Sequence, residues 1–271
     1  MKKLRCPILL LSFLALYDRS FACSIVYYIH PQTGNIYFIN NEDYFYDVKA
    51  YLQIKPASKH ALGRIWYGWK NFGQGGINEK GLVIDGAAAP EQQIPPGYSA
   101  PKGNITDEIL AACSTVDEAA AWLEEKKIAL GNAHVLLGDR HGNALLIEWI
   151  NGVKKTVEIQ NNRLVVTNFN ISDSAGTTCW RYPLIQKGLD ELDAKDTISL
   201  KDAGNVLGKA VQLPRANTGG KTGGTLYTTF IDLNAMEFVL VYKLNPSAIY
   251  RFHILKELQR GKVRKIILRS T

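Results

Sequence analysis

The sequence is short of the residues that hold metals and staple chains together. Its 271 residues include four cysteines and five histidines. No two cysteines stand in a Cys-x-x-Cys spacing, and no two histidines lie three or four residues apart. Those spacings put two ligands on one face of a turn or helix, so their absence argues against a metal centre. Beyond residue 22, no stretch is long and apolar enough for the about 20 residues that a membrane helix needs. Internal repeats and low-complexity linkers are missing too. The net charge is +7, but residues 1–22 hold +3 of it and residues 251–271 hold +6, which leaves −2 on residues 23–250. A near-neutral body gives no reason to expect nucleic acid. A phosphate-loop reading of Gly220-Lys221-Thr222 also fails. The glycine it needs five residues earlier is Arg215, with no strand before it and no helix after.

The chain is 46% hydrophobic and 21% charged, enough to bury a large core. Residues 1–22 read as a secretory signal. Lys2, Lys3 and Arg5 form a basic start, residues 7–17 an apolar stretch too short to span a membrane, and Ser20-Phe21-Ala22 a small-x-small cleavage site. The expected location is therefore periplasmic or extracellular. Residues 251–271 read as a basic, solvated tail. A weak contact of this tail with an anionic membrane surface stays open.

Between these ends, strands come in meandering blocks. Residues 23–29 and 36–40 read as a hairpin, and residues 44–54 as a further strand. Residues 68–76 are rich in glycine and aromatics, and residues 90–102 form a proline-rich loop. Two helices follow, over 104–112 and 115–127, the second opened by a Thr115-Val116-Asp117-Glu118 capping box. Strands are expected at 133–138, 144–149, 153–159 and 163–167. Two more helices are expected at 178–192 and 200–210, then a loop over 217–224 and a closing hairpin of 225–232 with 237–244. This order is α+β rather than alternating βαβ, and it fits one domain over residues 23–250.

Three cysteines follow the signal, an odd number for an exported chain, so at least one thiol is expected free. Cys113 lies in an apolar helical stretch and reads as a small core residue. Cys23 follows the cleavage site directly. A lipid-attachment signal would place an aliphatic residue at 20 and a small one at 21, where Ser20 and Phe21 stand. A cut after Ala22 would instead give Cys23 a free α-amine, with an ordinary pKa of about 7.7–8.0. That amine can take the proton of its own thiol, so one residue supplies nucleophile and base.

Several motifs in order resemble the N-terminal-nucleophile hydrolases of the choloylglycine hydrolase and penicillin V acylase type, over about residues 23–245. These are Cys23-Ser24-Ile25-Val26, Asn40-Asn41-Glu42-Asp43-Tyr44, Gly76-Ile77-Asn78-Glu79-Lys80-Gly81-Leu82, Val165-Val166-Thr167-Asn168 and Cys179-Trp180-Arg181-Tyr182. The resemblance implies a four-layer αββα sandwich with two antiparallel sheets. It implies hydrolysis of a linear amide by Cys23, with Asp43 holding the α-amine. Asn168 and a backbone N–H near Ala88 would form the oxyanion hole, and Arg181 would be a cation beside the thiol. Asn40 departs from the pattern, because it stands where the family has an arginine. The implied partner is a small-molecule amide, with no metal and no cofactor. Homo-oligomerisation, and transfer of the acyl group to an amine rather than to water, stay open. The competing expectation is a non-catalytic or lipid-anchored envelope protein on the same scaffold.

Overall fold

The computed structural model describes residues 23–173, 179–216 and 219–270. The signal expected at residues 1–22 lies outside them. Two antiparallel sheets stack face to face. The first runs in the order β10 (Arg163–Val166), β1 (Ser24–Ile29), β2 (Ile36–Phe45), β12 (Thr222–Asp232), β13 (Glu237–Tyr242), β14 (Ile249–His253), with the short β11 (Arg215–Ala216) on β12. The second runs β15 (Arg264–Ile267), β3 (Ala50–Lys55), β4 (Arg64–Trp69), β5 (Phe72–Asn78), β6 (Val83–Ala88), β7 (Ala133–Gly138), β8 (Ala144–Ile150), β9 (Val153–Glu158).

The residue alternation of the strands explains the layering. In β1, Ile25 and Tyr27 join the core between the sheets, while Val26 and Tyr28 face outward. That outer face is covered by α3 (Arg181–Asp193) and α4 (Leu200–Gly208) through Ile185, Leu189, Val206 and Leu207. In the other sheet, Leu136 and Leu146 face the partner sheet. Val135, Leu137 and Ile147 pack instead under α1 (Ile105–Ala112) and α2 (Val116–Glu125). Strands buried on both faces read as continuous apolar runs, which is why β1 and β7 are plain in the sequence. The result is the four-layer αββα sandwich. Among the described residues no helix is long and apolar enough to cross a membrane.

The helix starts are encoded locally. Thr115 accepts from the Glu118 N–H, but the Glu118 carboxylate reaches back to the Ser114 N–H rather than to Thr115. Ser199 and Asp202 make the full reciprocal box at α4. Cys113 is buried beside α1 and α2 as expected, and Cys23, Cys113 and Cys179 are all free.

Two expectations need correction. The domain does not end at residue 250. Residues 251–270 complete β14, form α5 (Ile254–Leu258) and return as β15, which pairs with β3. Ile254, Leu258 and Leu268 are buried, and the buried Glu257 pairs with both Arg260 and Arg264. A count of basic residues had hidden an apolar set and its internal counter-charge. Likewise, residues 44–54 are not one strand, because β2 ends at Phe45 and β3 begins at Ala50. The glycine-rich stretch over 68–76 forms the heart of the β4–β5 hairpin.

Candidate active site

Cys23 immediately precedes β1. Ser24 pairs with Asn41 across the ladder, so Cys23 falls opposite Glu42. Its thiol donates to Glu42 Oε1 at 3.1 Å, and the Asp43 backbone N–H points at the sulfur. Burial pushes the thiol well above its usual range, and the Glu42 and Asp43 carboxylates push it further. Burial also raises Glu42, reinforced by Asp85 and opposed by the bond from Cys23.

Asp43 sits at the end of β2, where a bulge in β12 between Thr225 and Tyr227 shifts the register. Thr225 Oγ1 donates to its Oδ1 at 2.6 Å, and Arg181 Nη1 to its Oδ2 at 2.8 Å. Burial carries Asp43 up to about 7, against the lowering effect of Thr225 and Arg181. Arg181 opens α3 and is only 1% exposed. Its Nη2 donates to Asn168 Oδ1 at 2.8 Å and its Nε to Cys179 Sγ at 3.3 Å. Asn168 in turn donates one amide hydrogen to the Ala88 carbonyl at 2.7 Å.

Asp43, Arg181, Asn168 and Ala88 thus form one chain of polar contacts, and Cys23 joins it next to Asp43. Asn40 stands apart. Its amide donates to Asp85 Oδ2 at 2.6 Å, an atom that also accepts from Tyr67 Oη at 2.6 Å. Burial raises Asp85 to about 8, against hydrogen bonds from Tyr67, Gly86 and Asn40. A neutral asparagine therefore faces a carboxyl whose burial favours the protonated form.

Sequence reasoning missed Glu42 and Asp85. Glu42 was one letter inside a quoted motif, and only the β1–β2 register shows that it faces the thiol. Asp85 carried a signal of its own, a lone acid inside the apolar run Leu82-Val83-Ile84-Asp85. His134 has a scaffold role. Its Nδ1 meets Glu148 Oε1 at 3.1 Å, and Glu148 also accepts from the Ile171 and Ser172 N–H groups, tying down the loop after Asn168.

A cavity of about 910 Å³ opens onto Cys23, Glu42, Asp43 and Asp85. It enters where the second sheet splits. β5 and β6 pair only from Gly75↔Asp85 to Ile77↔Val83, while β6 stays paired to β7 through Ala88. Past Gly75 the two strands part, and Gly73 and Gln74 on one side face Gly86 and Ala87 on the other across the opening. Trp69 and Phe72 line the cavity, as do Ile84, Ile105 and Leu130. Trp66 does not. It packs among the helix-side residues under Lys55 and Arg64. Tyr67 is spent on holding Asp85.

The two stacked antiparallel sheets between helical layers give the αββα sandwich fold of the N-terminal-nucleophile hydrolases. The family model described as acyl-coenzyme A:6-aminopenicillanic acid acyl-transferase matches residues 30–244. The chain belongs to this family. Solved structures with the same fold include penicillin V acylase from Agrobacterium tumefaciens, at 17% identity over 90% of both chains with a TM-score of 0.69. Two variants of the conjugated bile acid hydrolase from Clostridium perfringens are each 15% identical. One covers 91% of this chain and 97% of that one with a TM-score of 0.68. The other covers 92% and 98%, with a TM-score of 0.70. Among curated proteins, none matches this sequence.

Proposed function

We propose that this protein is an exported amide hydrolase whose nucleophile, Cys23, becomes active when the chain is cut after Ala22. The observation that carries this reading is the placement of the Cys23 sulfur. It lies 3.1 Å from Glu42 at the floor of a deep cavity, next to the buried Asp43–Arg181 pair.

As an internal residue, Cys23 has no base. Its thiol faces carboxyl groups that hold its proton on. Cutting the peptide bond to Ala22 creates an ammonium group among Glu42, Asp43 and Asp85, three acids of which Asp43 pairs with the buried Arg181. A cation there lowers the pKa of the neighbouring carboxyls and of the thiol. In its neutral form, which an ordinary α-amine pKa of about 7.7–8.0 leaves accessible, the amine accepts the thiol proton and the thiolate attacks the amide carbonyl. The second amide hydrogen of Asn168 and a backbone N–H near Ala88 stabilise the oxyanion, a contribution of about 3 kcal/mol per donor in comparable sites. The C–N bond breaks, and the departing amine takes the proton from the Cys23 ammonium. Water, deprotonated by the same amine, hydrolyses the thioester and releases the carboxylic acid and the free thiol.

The acyl group fits against Trp69, Phe72, Ile84 and Ile105, which favours a small aryl-acyl or alkyl-acyl amide, with penicillin V-like compounds as candidates. Mass spectrometry and N-terminal sequencing of the exported protein test the cut. A chain that begins at Cys23 is expected, and one that begins elsewhere, or carries a lipid adduct on Cys23, contradicts the proposal. Replacing Cys23→Ala is expected to reduce turnover of a phenoxyacetyl amide at least about 1,000-fold with an unchanged circular dichroism spectrum. Full activity in that variant would rule out the mechanism.

A further inference from the structure

Beside the catalytic cavity lies a second concavity of about 630 Å³. The two share a wall, since Tyr44 and Phe45 line both. Tyr44 is braced in place by stacking on Trp69 at 4.5 Å. The second groove is unlike the first in charge. It is lined by Lys49, Lys70, Lys221 and Lys265, against a single acid, Asp47.

These lysines are not a charge run in the sequence. Lys49 comes from the β2–β3 turn and Lys70 from the tip of the β4–β5 hairpin, where its φ of 53° turns the chain. Lys221 leads into β12, and Lys265 lies on β15. Four separate segments therefore converge on one groove. Lys221 Nζ is 3.0 Å from Asp47, which accounts for one charge pair, and Lys265 Nζ lies 3.9 Å from the Tyr51 ring centroid. The lining keeps a surplus of three positive charges. Like charges gathered in a concave site raise its potential and concentrate anions there. Lysine ammonium groups on flexible stems suit a phosphate, whose several oxygens accept from more than one direction.

The floor of the neighbouring cavity carries carboxyls rather than lysines, with Glu42, Asp43 and Asp85 around Cys23. An anionic group is better held by the lysines at the rim than by the carboxyls of that floor. We propose that the lysine groove is an anion subsite of the same active site, which takes a phosphate-type group on the amine side of the substrate. This rests on the amide-hydrolase reading. The acyl half must stay in the apolar cavity as the thioester, so the half that leaves occupies the open groove beyond Tyr44 and Phe45. Residues 251–270, whose basic character was conspicuous in the sequence, then supply one wall of a substrate site through β15.

Two measurements separate this proposal from the reading beneath it. Isothermal titration calorimetry with inorganic pyrophosphate needs no turnover. The wild-type chain is expected to bind it, and the Lys49→Ala/Lys265→Ala variant to bind about tenfold more weakly at equal melting temperature. No binding to wild type, or equal binding to both, overturns the subsite. The second measurement compares two amides, N-phenylacetyl-3-aminopropyl phosphate and N-phenylacetyl-propylamine. Wild type is expected to favour the phosphate compound about tenfold in kcat/KM, chiefly through KM, and the variant to lose that preference. If pyrophosphate binds but the wild type shows no preference, the groove holds free anions and its assignment to the substrate is wrong. If pyrophosphate binds but neither amide is cleaved, the hydrolase reading fails, and the substrate assignment with it.

Discussion

At the scale of single residues, the unusual feature is how much acid is packed around one thiol. Glu42, Asp43 and Asp85 are each at most 2% exposed, and burial raises all three. Glu42 is the one in contact with the sulfur, so its carboxylate is expected to hold the thiol proton most directly. Replacing Glu42→Gln keeps the shape and removes the charge. Alkylation of Cys23 by iodoacetamide should then become several-fold faster at pH 8, with its pH midpoint moved down. An unmoved or raised midpoint would show that Glu42 does not control the thiol. Cys23, Asp43, Asn168 and Arg181 were legible in the sequence because each sits in a motif with a recognisable neighbour. Glu42 was not, because strand register decides which of two adjacent acids faces a given partner, and a slip of one residue exchanges them.

Among the elements, β4 and β5 were the hardest to see. Glycine disfavours strands, and Gly68, Gly73, Gly75 and Gly76 left this stretch without a strand signal. The structure supplies the reason for one of them directly. A Cβ on Gly75 would lie 2.5 Å from Asp85 Cγ and 2.6 Å from Tyr67 Oη. The glycine is there to admit the buried hydrogen bond between those two side chains. Gly75→Ala is therefore expected to cost about 1–3 kcal/mol, a fall in Tm of about 2–4 °C per kcal/mol at this chain size. It should also lower turnover by displacing Asp85. A variant as stable and active as wild type would mean that the hairpin yields more easily than its packing suggests. By contrast, β1, β7 and β8 were plain, since burial on both faces writes them as apolar runs. The last strand, β15, was hidden for a different reason. Its side chains alternate between partial burial and exposure, and arginine and lysine stems can cover apolar surface while their charges stay in water.

For the whole molecule, the buried acids set the pH dependence of stability. Burial raises Asp43 from 3.8 to about 7 and Asp85 from 3.8 to about 8, and lifts Glu42 as well. The folded chain thus binds protons more tightly than the unfolded chain. That stability is fully present below about pH 4 and is lost as pH rises through 7 and 8. Glu148 has the opposite sign. Despite its burial, hydrogen bonds from His134, Ser172 and Ile171 hold it below 4.5, so its contribution is lost only at lower pH. Urea unfolding of the uncut chain should show greatest stability on the mildly acidic side and a steady decline from pH 5 to pH 8. A free Cys23 amine should flatten that decline by pairing with the acids. Stability that rises from pH 5 to pH 8 in the uncut chain would contradict this account.

The parting of β5 from β6 carries a consequence for how such a protein can change. Sheet hydrogen bonds usually tie the shape of a pocket to the integrity of the core, so that remodelling one endangers the other. Here the rim residues Gly73, Gln74, Gly86 and Ala87 lie where the two strands have already let go of each other, while each strand keeps its ladder on the far side. New side chains at Gln74 and Gly86 can reshape what enters without loosening either sheet, whereas a Cβ on Gly73 would lie 2.8 Å from Trp66 Cδ1 and Ala87 belongs to the core. Ligand preference and folding are therefore separable at one part of this rim and coupled at the other.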